Sequence, residues 1–180
     1  MSTLKLAAVA ALCLVSADAL AAETQAPNLA PNLGKPITQA DIAPWDISIM
    51  PDGTGLPAGS GTPKQGEPIF QAKCSACHGE KGTGGIAAAV TAGPPKATLD
   101  GGKTIANFWP YATTVFDFIR RAMPYNAPKS LSDQEVYALT AYLLSLNKLI
   151  GENDVMNAQT LPKVKMPNKD NFIIRFPERI

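Results

Sequence analysis

The chain has 180 residues, 46% hydrophobic and 17% charged, with 16 basic and 15 acidic side chains and a net charge of +1. That balance argues against a nucleic-acid binder, which would carry a basic excess, and the apolar content argues against a chain disordered throughout. The lone histidine excludes any site built on two or three imidazoles from this chain.

Residues 1–21 carry Lys5, an apolar run from Leu6 to Val15, and small residues at Ala19 and Ala21. This is the pattern of a secretory signal peptide, with cleavage expected after Ala21. The run is too short for a membrane anchor, and Leu12 before Cys13 does not suit a lipoprotein signal. The expected location is the periplasm.

Residues 22–61 are rich in Pro, Gly, Ala and Asn. Between turn signals they hold Trp45, Ile47, Ile49 and Met50, which a purely solvated linker does not need. They are expected to form an extended arm lying on the domain or on a partner. A first helix starts after Thr62, with Pro63 at its first position and Gln65 completing a capping box, and runs toward Cys74. Pro68 is expected in its early turns, where a missing N–H costs least. Residues 79–112 read as loop, with one short turn near Ala87–Thr91. A second helix is expected to start near Thr113 or Thr114, carrying Val115, Phe116, Ile119 and Ala122 and stopped by Pro124.

The third helix is capped by Ser132 with Glu135 in its box, shows Val136, Leu139, Tyr142, Leu143 and Leu146 on one broad face, and ends near Asn147. A tail follows that is irregular yet apolar, with Val155, Met156, Leu161, Val164, Met166 and Phe172. No strand pattern supports a sheet of any size. The reading is an all-α chain with a signal peptide (1–21), an arm (22–61), a haem domain (62–150) and a C-terminal extension (151–180). Its protein-only core looks thin, so something apolar is expected between the helices.

Cys74-Ser75-Ala76-Cys77-His78 supplies it. The CxxCH spacing is that of covalent c-type haem attachment. Each thiol adds across one vinyl group of the porphyrin, and the adjacent imidazole reaches the iron. A structural zinc site needs a fourth ligand, which would have to be a carboxylate. A thioredoxin-like pair expects a βαβ context and a CxxC that opens a helix; here the helix precedes it. For the sixth ligand the candidates are Met50, Met123, Met156 and Met166, with lysine or water also open. Met123 is preferred because it closes a helix before Pro124. The second nitrogen of His78 is expected to meet a backbone acceptor, for which the Gly93-Pro94-Pro95 stretch is a candidate. Lys96, Lys103, Trp109 and Tyr111 are candidates to face the propionates.

With these residues in place, the sequence resembles the class I monohaem cytochromes c over residues 62–149. The matching pieces are Gly66 and Phe70, the CxxCH, Gly93-Pro94, Met123-Pro124 and the helix from Ser132 to Leu146. The resemblance implies a crossing of first and last helices at Gly66 and Phe70 against Tyr142. It also implies the Pro94 carbonyl as acceptor for His78 and Met123 as axial ligand. A narrower resemblance, from Trp45 to Ile173, is to the SoxD-like cytochrome subunits of sulfite and sulfane dehydrogenase complexes. It rests on Trp45-Asp46-Ile47, Pro51-Asp52-Gly53-Thr54-Gly55, Phe108-Trp109-Pro110-Tyr111 and Asn153-Asp154-Val155-Met156-Asn157. Many of those chains carry two haems, whereas this one has a single CxxCH.

The resemblance implies one covalent haem c and no catalysis by this chain alone. Its partners would be a molybdenum-containing dehydrogenase subunit as donor and a soluble cytochrome or oxidase as acceptor. The alternatives are a free diffusible carrier and a haem enzyme or sensor with a labile sixth ligand. Arm and tail are expected to be ordered by the partner, so that deleting residues 152–180 would weaken the complex and leave the haem spectrum unchanged.

Overall fold

The computed structural model describes residues 34–91, 102–173 and 175. The signal-peptide region and the Gly93-Pro94-Pro95 stretch lie outside them. Residues up to Ile42 form one unit, whose described part, 34–42, contains a single helical turn, α1 (Gln39–Ile42). Thr38 caps that turn, its N–H donating to Asp41 Oδ2 at 2.8 Å.

The residues from Ala43 onward form a second unit, organised around three helices. α2 (Pro63–Lys73) has the expected capping box at Thr62 and Gln65. Pro68 falls in the middle of α2 rather than in its early turns. A one-turn helix, α3 (Ser75–His78), follows directly. After it come α4 (Ile105–Phe108), α5 (Ala112–Ala122) and α6 (Asp133–Leu146). α6 carries the predicted box at Ser132 and Glu135. Glu135 also accepts a 2.7 Å bond from Lys73 at the end of α2. The Lys73 ammonium and the Ser132 cap hold its carboxyl below the usual carboxylate range.

α5 begins at Ala112, beside the expected start near Thr113 or Thr114, and Tyr111 precedes it without a side-chain cap. Part of the segment read as loop is α4, where Asn107 Oδ1 accepts the Thr104 N–H at 2.7 Å.

α6 is surrounded. Every residue from Val136 to Leu144 is buried, including Tyr137 and Thr140, so no face of its middle turns meets water. α2 covers one side and α5 another. The third side is covered by the arm and the tail, which meet in a two-stranded antiparallel ladder, β1 (Ser60–Gly61) with β2 (Met156–Asn157), in the register Gly61↔Met156. The arm is tied down further. Tyr137 donates to Pro57 O at 2.9 Å and Arg121 to Ile47 O at 3.2 Å. The tail contributes Met156, Leu161 and Met166 to the core, each at most 5% exposed. The arm from Ala43 onward and the tail as far as Met166 are therefore packed on this chain itself, where the sequence led one to expect a partner to order them.

α2 and α6 cross at Gly66, where the Phe70 and Tyr142 rings lie 5.4 Å apart. A Cβ on Gly66 would stand 2.0 Å from Ala138 O and 2.7 Å from Tyr142 Cβ. Because the obstacle is backbone, no rotamer change relieves it. Gly66→Ala is expected to destabilise the fold by about 3 kcal/mol, at the upper end of overpacking costs. Thermal melting of the variant against the parent checks this.

Candidate functional site

α2 delivers Cys74 as its C-terminal cap, with the Cys74 N–H donating to Phe70 O at 2.8 Å. The turn of α3 then places Cys77 and His78, and Gly79 reverses the chain at φ 81°. The following loop folds back onto the motif. Gly84 N–H donates to His78 O at 2.8 Å, and Ala87 N–H to Cys77 O at 2.9 Å. Two glycines permit this approach. A Cβ on Gly79 would lie 2.5 Å from Gly84 O, and one on Gly85 would lie 2.8 Å from Cys77 O.

The fold-back has a chemical consequence at His78. Its Nδ1 lies 2.8 Å from Ala88 O. A carbonyl can only accept, so Nδ1 carries the proton and Nε2 presents its lone pair. Such a second hydrogen bond is the usual device for fixing a metal-binding imidazole. Among the described residues the acceptor that meets this nitrogen is Ala88 O. Pro94 itself lies outside the described residues. A backbone carbonyl leaves no mark in a sequence, and the only hint of Ala88 was the run of glycines before it.

Cys74, Cys77 and His78 line one apolar cavity of about 400 Å³. Its other walls come from α2 (Phe70), α4 and its cap (Ile105, Trp109), α5 (Val115, Phe118, Ile119), Met123, and α6 (Leu139, Leu143). Asn147, at the end of α6, ties the Val90 wall in place by donating to Val90 O at 3.2 Å and to Leu143 O at 2.8 Å. The Cys74 thiol is pushed up to about 11, chiefly by burial, against a smaller lowering by Lys73. Cys77 is exposed at the mouth.

Among the four methionines weighed, Met123 lines this cavity. It stands in extended conformation as the C-terminal cap of α5, its N–H held by Ile119 O. Met156 and Met166 are buried outside the cavity wall, and Met50 is 43% exposed on the arm. Trp109 lines the cavity, whereas Lys103 and Tyr111 do not. Lys103 Nζ lies over the Phe108 ring and Lys169 Nζ over the Tyr111 ring. Lys96 lies outside the described residues.

The donor set suits a large apolar group better than a bare ion. Among the described residues no three His, Cys, Asp or Glu side chains converge to hold a metal. Instead two thiols and one imidazole border a pocket of almost wholly apolar lining, and a thioether borders it too. A porphyrin fits that arrangement: thiols to bond its vinyl groups, Nε2 for its iron, and hydrocarbon for its faces. The family model for cytochrome c matches residues 63–147. The crystal structure of the sulfane dehydrogenase SoxCD from Paracoccus pantotrophus contains a chain that superposes with a TM-score of 0.74 at 33% identity, covering 82% of this chain and 74% of that one.

The chain belongs to the cytochrome c family.

No curated protein sequence matches it. The likeness to the SoxCD chain reaches well beyond the stretch matched by the cytochrome c model, so the arm and tail share in it. The fold is that of a mostly helical, class I-like cytochrome c with few strands, as the sequence led one to expect. No helix among the described residues is long and apolar enough to cross a membrane.

Proposed function

We propose that this cytochrome c works in the periplasm as the electron-accepting haem subunit of a molybdenum-dependent sulfite or sulfane dehydrogenase complex. The observation that carries the haem reading is that Cys74, Cys77, His78 and Met123 border one and the same cavity. The likeness over arm and tail to a chain of SoxCD supports the particular complex.

Bound haem c supplies a one-electron iron couple. Cys74 and Cys77 would anchor it through thioether bonds. His78 would offer Nε2 to its iron, oriented by Ala88 O, and Met123 Sδ would offer a second protein ligand. With two protein ligands the bound group would serve electron transfer rather than activation of a small molecule. The apolar walls and a methionine sulfur would favour the reduced state of the bound group. Trp109, on the α4 side of the wall, is proposed to face the cofactor.

The test is an optical spectrum of the purified mature protein, oxidised and reduced, with a pyridine haemochrome assay and added carbon monoxide. One covalent haem, a far-red methionine-to-iron band and no response to carbon monoxide are expected. Mixing with a molybdenum dehydrogenase subunit and sulfite should then reduce the haem. A spectrum that shifts at once with carbon monoxide would move the protein to the enzyme or sensor class. Normal spectra without reduction by the dehydrogenase would leave a free carrier.

A further inference from the structure

The cavity reaches the surface at a mouth bordered by Cys77, Ile86 and Tyr125, the last two each 89% exposed. A second route to the surface runs through side chains. Trp109, which lines the cavity, meets Phe108 edge to face with ring centroids 6.4 Å apart. Phe108 meets Phe172 of the tail at 5.8 Å, also edge to face, and Phe172 is 44% exposed. Both separations are those of rings in contact. Electronic coupling falls steeply across gaps, so an unbroken series of three rings gives a contact path from cavity wall to solvent.

Where that path surfaces, the charge is one-sided. Lys103 Nζ lies 4.7 Å from the Phe108 centroid, and Lys169 Nζ lies 5.8 Å from that of Tyr111. Between Leu161 and Ile173 the tail carries three lysines and one aspartate, in a chain whose net charge is only +1. Asn168 pins this segment to the helix it flanks, its Nδ2 donating to Phe108 O at 2.7 Å. Exposed apolar surface ringed by one sign of charge is the usual form of a transient redox docking site, where steering governs the encounter rate.

We infer that the face of Phe172, Lys103 and Lys169 is a second electron port, separate from the cavity mouth, that receives the acidic surface of a redox protein. The inference rests on the electron-transfer reading above and deepens it. A donor held over the mouth in a complex would cover that exit. A separate port lets one electron enter at one face and leave at the other.

The test uses the full, haem-loaded chain, chemically reduced and then oxidised in a stopped-flow instrument. Ferricyanide, an anion, stands in for the acidic partner and takes one electron to become ferrocyanide; tris(phenanthroline)cobalt(III), a cation, is its counterpart. The variant Lys103→Glu/Lys169→Glu is compared with Lys64→Glu/Lys81→Glu, which changes the net charge equally but lies on α2 and on the loop beside Cys77. At low salt the first pair is expected to slow ferricyanide about tenfold and to speed the cobalt complex, with both effects fading as salt shortens the screening length. If the second pair slows ferricyanide as much or more, the steering is not local to the Phe172 face and the port is overturned. A preparation that carries no reducible haem would instead overturn the electron-carrier reading itself.

Discussion

Replacing Met123 by leucine is expected to lower the midpoint potential by about 0.2 V and to let carbon monoxide bind the reduced protein. Leucine has nearly the volume of methionine, so the cavity wall stays filled and the substitution isolates the sulfur. Met123 caps α5 with its N–H bonded to Ile119 O at 3.1 Å, a backbone contact the variant keeps. A shift of about 0.2 V is a quarter of the roughly 0.8 V span set by axial ligands. For a one-electron couple it corresponds to roughly 2,500-fold in the reduced-to-oxidised equilibrium. The far-red charge-transfer band should vanish at the same time, while the melting temperature should change little. An unchanged potential and a persistent far-red band would show that the sulfur at 123 is not the ligand. Met50, 43% exposed, and the buried Met156 and Met166 border other parts of the fold, so none offers an equivalent substitute.

Local signals were legible in the sequence, and long-range ones were not. The Thr62–Gln65 and Ser132–Glu135 boxes each lie within four residues, and they place the starts of α2 and α6. The CxxCH is equally local. α5 has no such mark. Its start is set by the burial of Ala112 and Thr113 against the core, and Thr113 and Thr114 offered a more attractive cap than the Tyr111 that stands there. α4 had a signal in Thr104 and Asn107, but glycines and prolines on both sides outweighed one turn of helix. The role of Ala88 O depends on a carbonyl aimed by a fold-back, which no side chain announces. That Met123 and His78 border one cavity is a tertiary fact, suggested by position in the chain and by resemblance rather than by any local pattern.

Ending the chain at Gly151 is expected to prevent the haem domain from folding stably, so the truncated protein should lose its haem spectrum as well as any partner. The sequence alone pointed the other way, toward a tail that matters only to the complex. The core of this unit decides the matter. Met156 is 4% exposed, Leu161 0% and Met166 5%, and all three belong to the main hydrophobic cluster. Burying each such side chain is worth about 1.5–3 kcal/mol, so the three together approach the roughly 5–15 kcal/mol of a whole domain's stability. The truncation also removes β2, whose pairing holds β1 and with it the arm over α6. Without arm and tail, the Tyr137 side of α6 would meet water, and the wall carrying Trp109 would lose the Asn168 bond to Phe108 O. A gentler variant separates folding from binding. Leu161→Ala should cost about 2–5 kcal/mol and depress the melting temperature, yet leave the ligand set and the spectrum below the transition intact. If the truncated chain instead melts like the parent, with its spectrum intact, the tail is an accessory to the partner after all, and its burial here contributes little. The arrangement also accounts for a thin three-helix core in so long a chain: the apolar cover comes from the two straps on one side of α6, and the cavity on the other leaves room for the proposed haem.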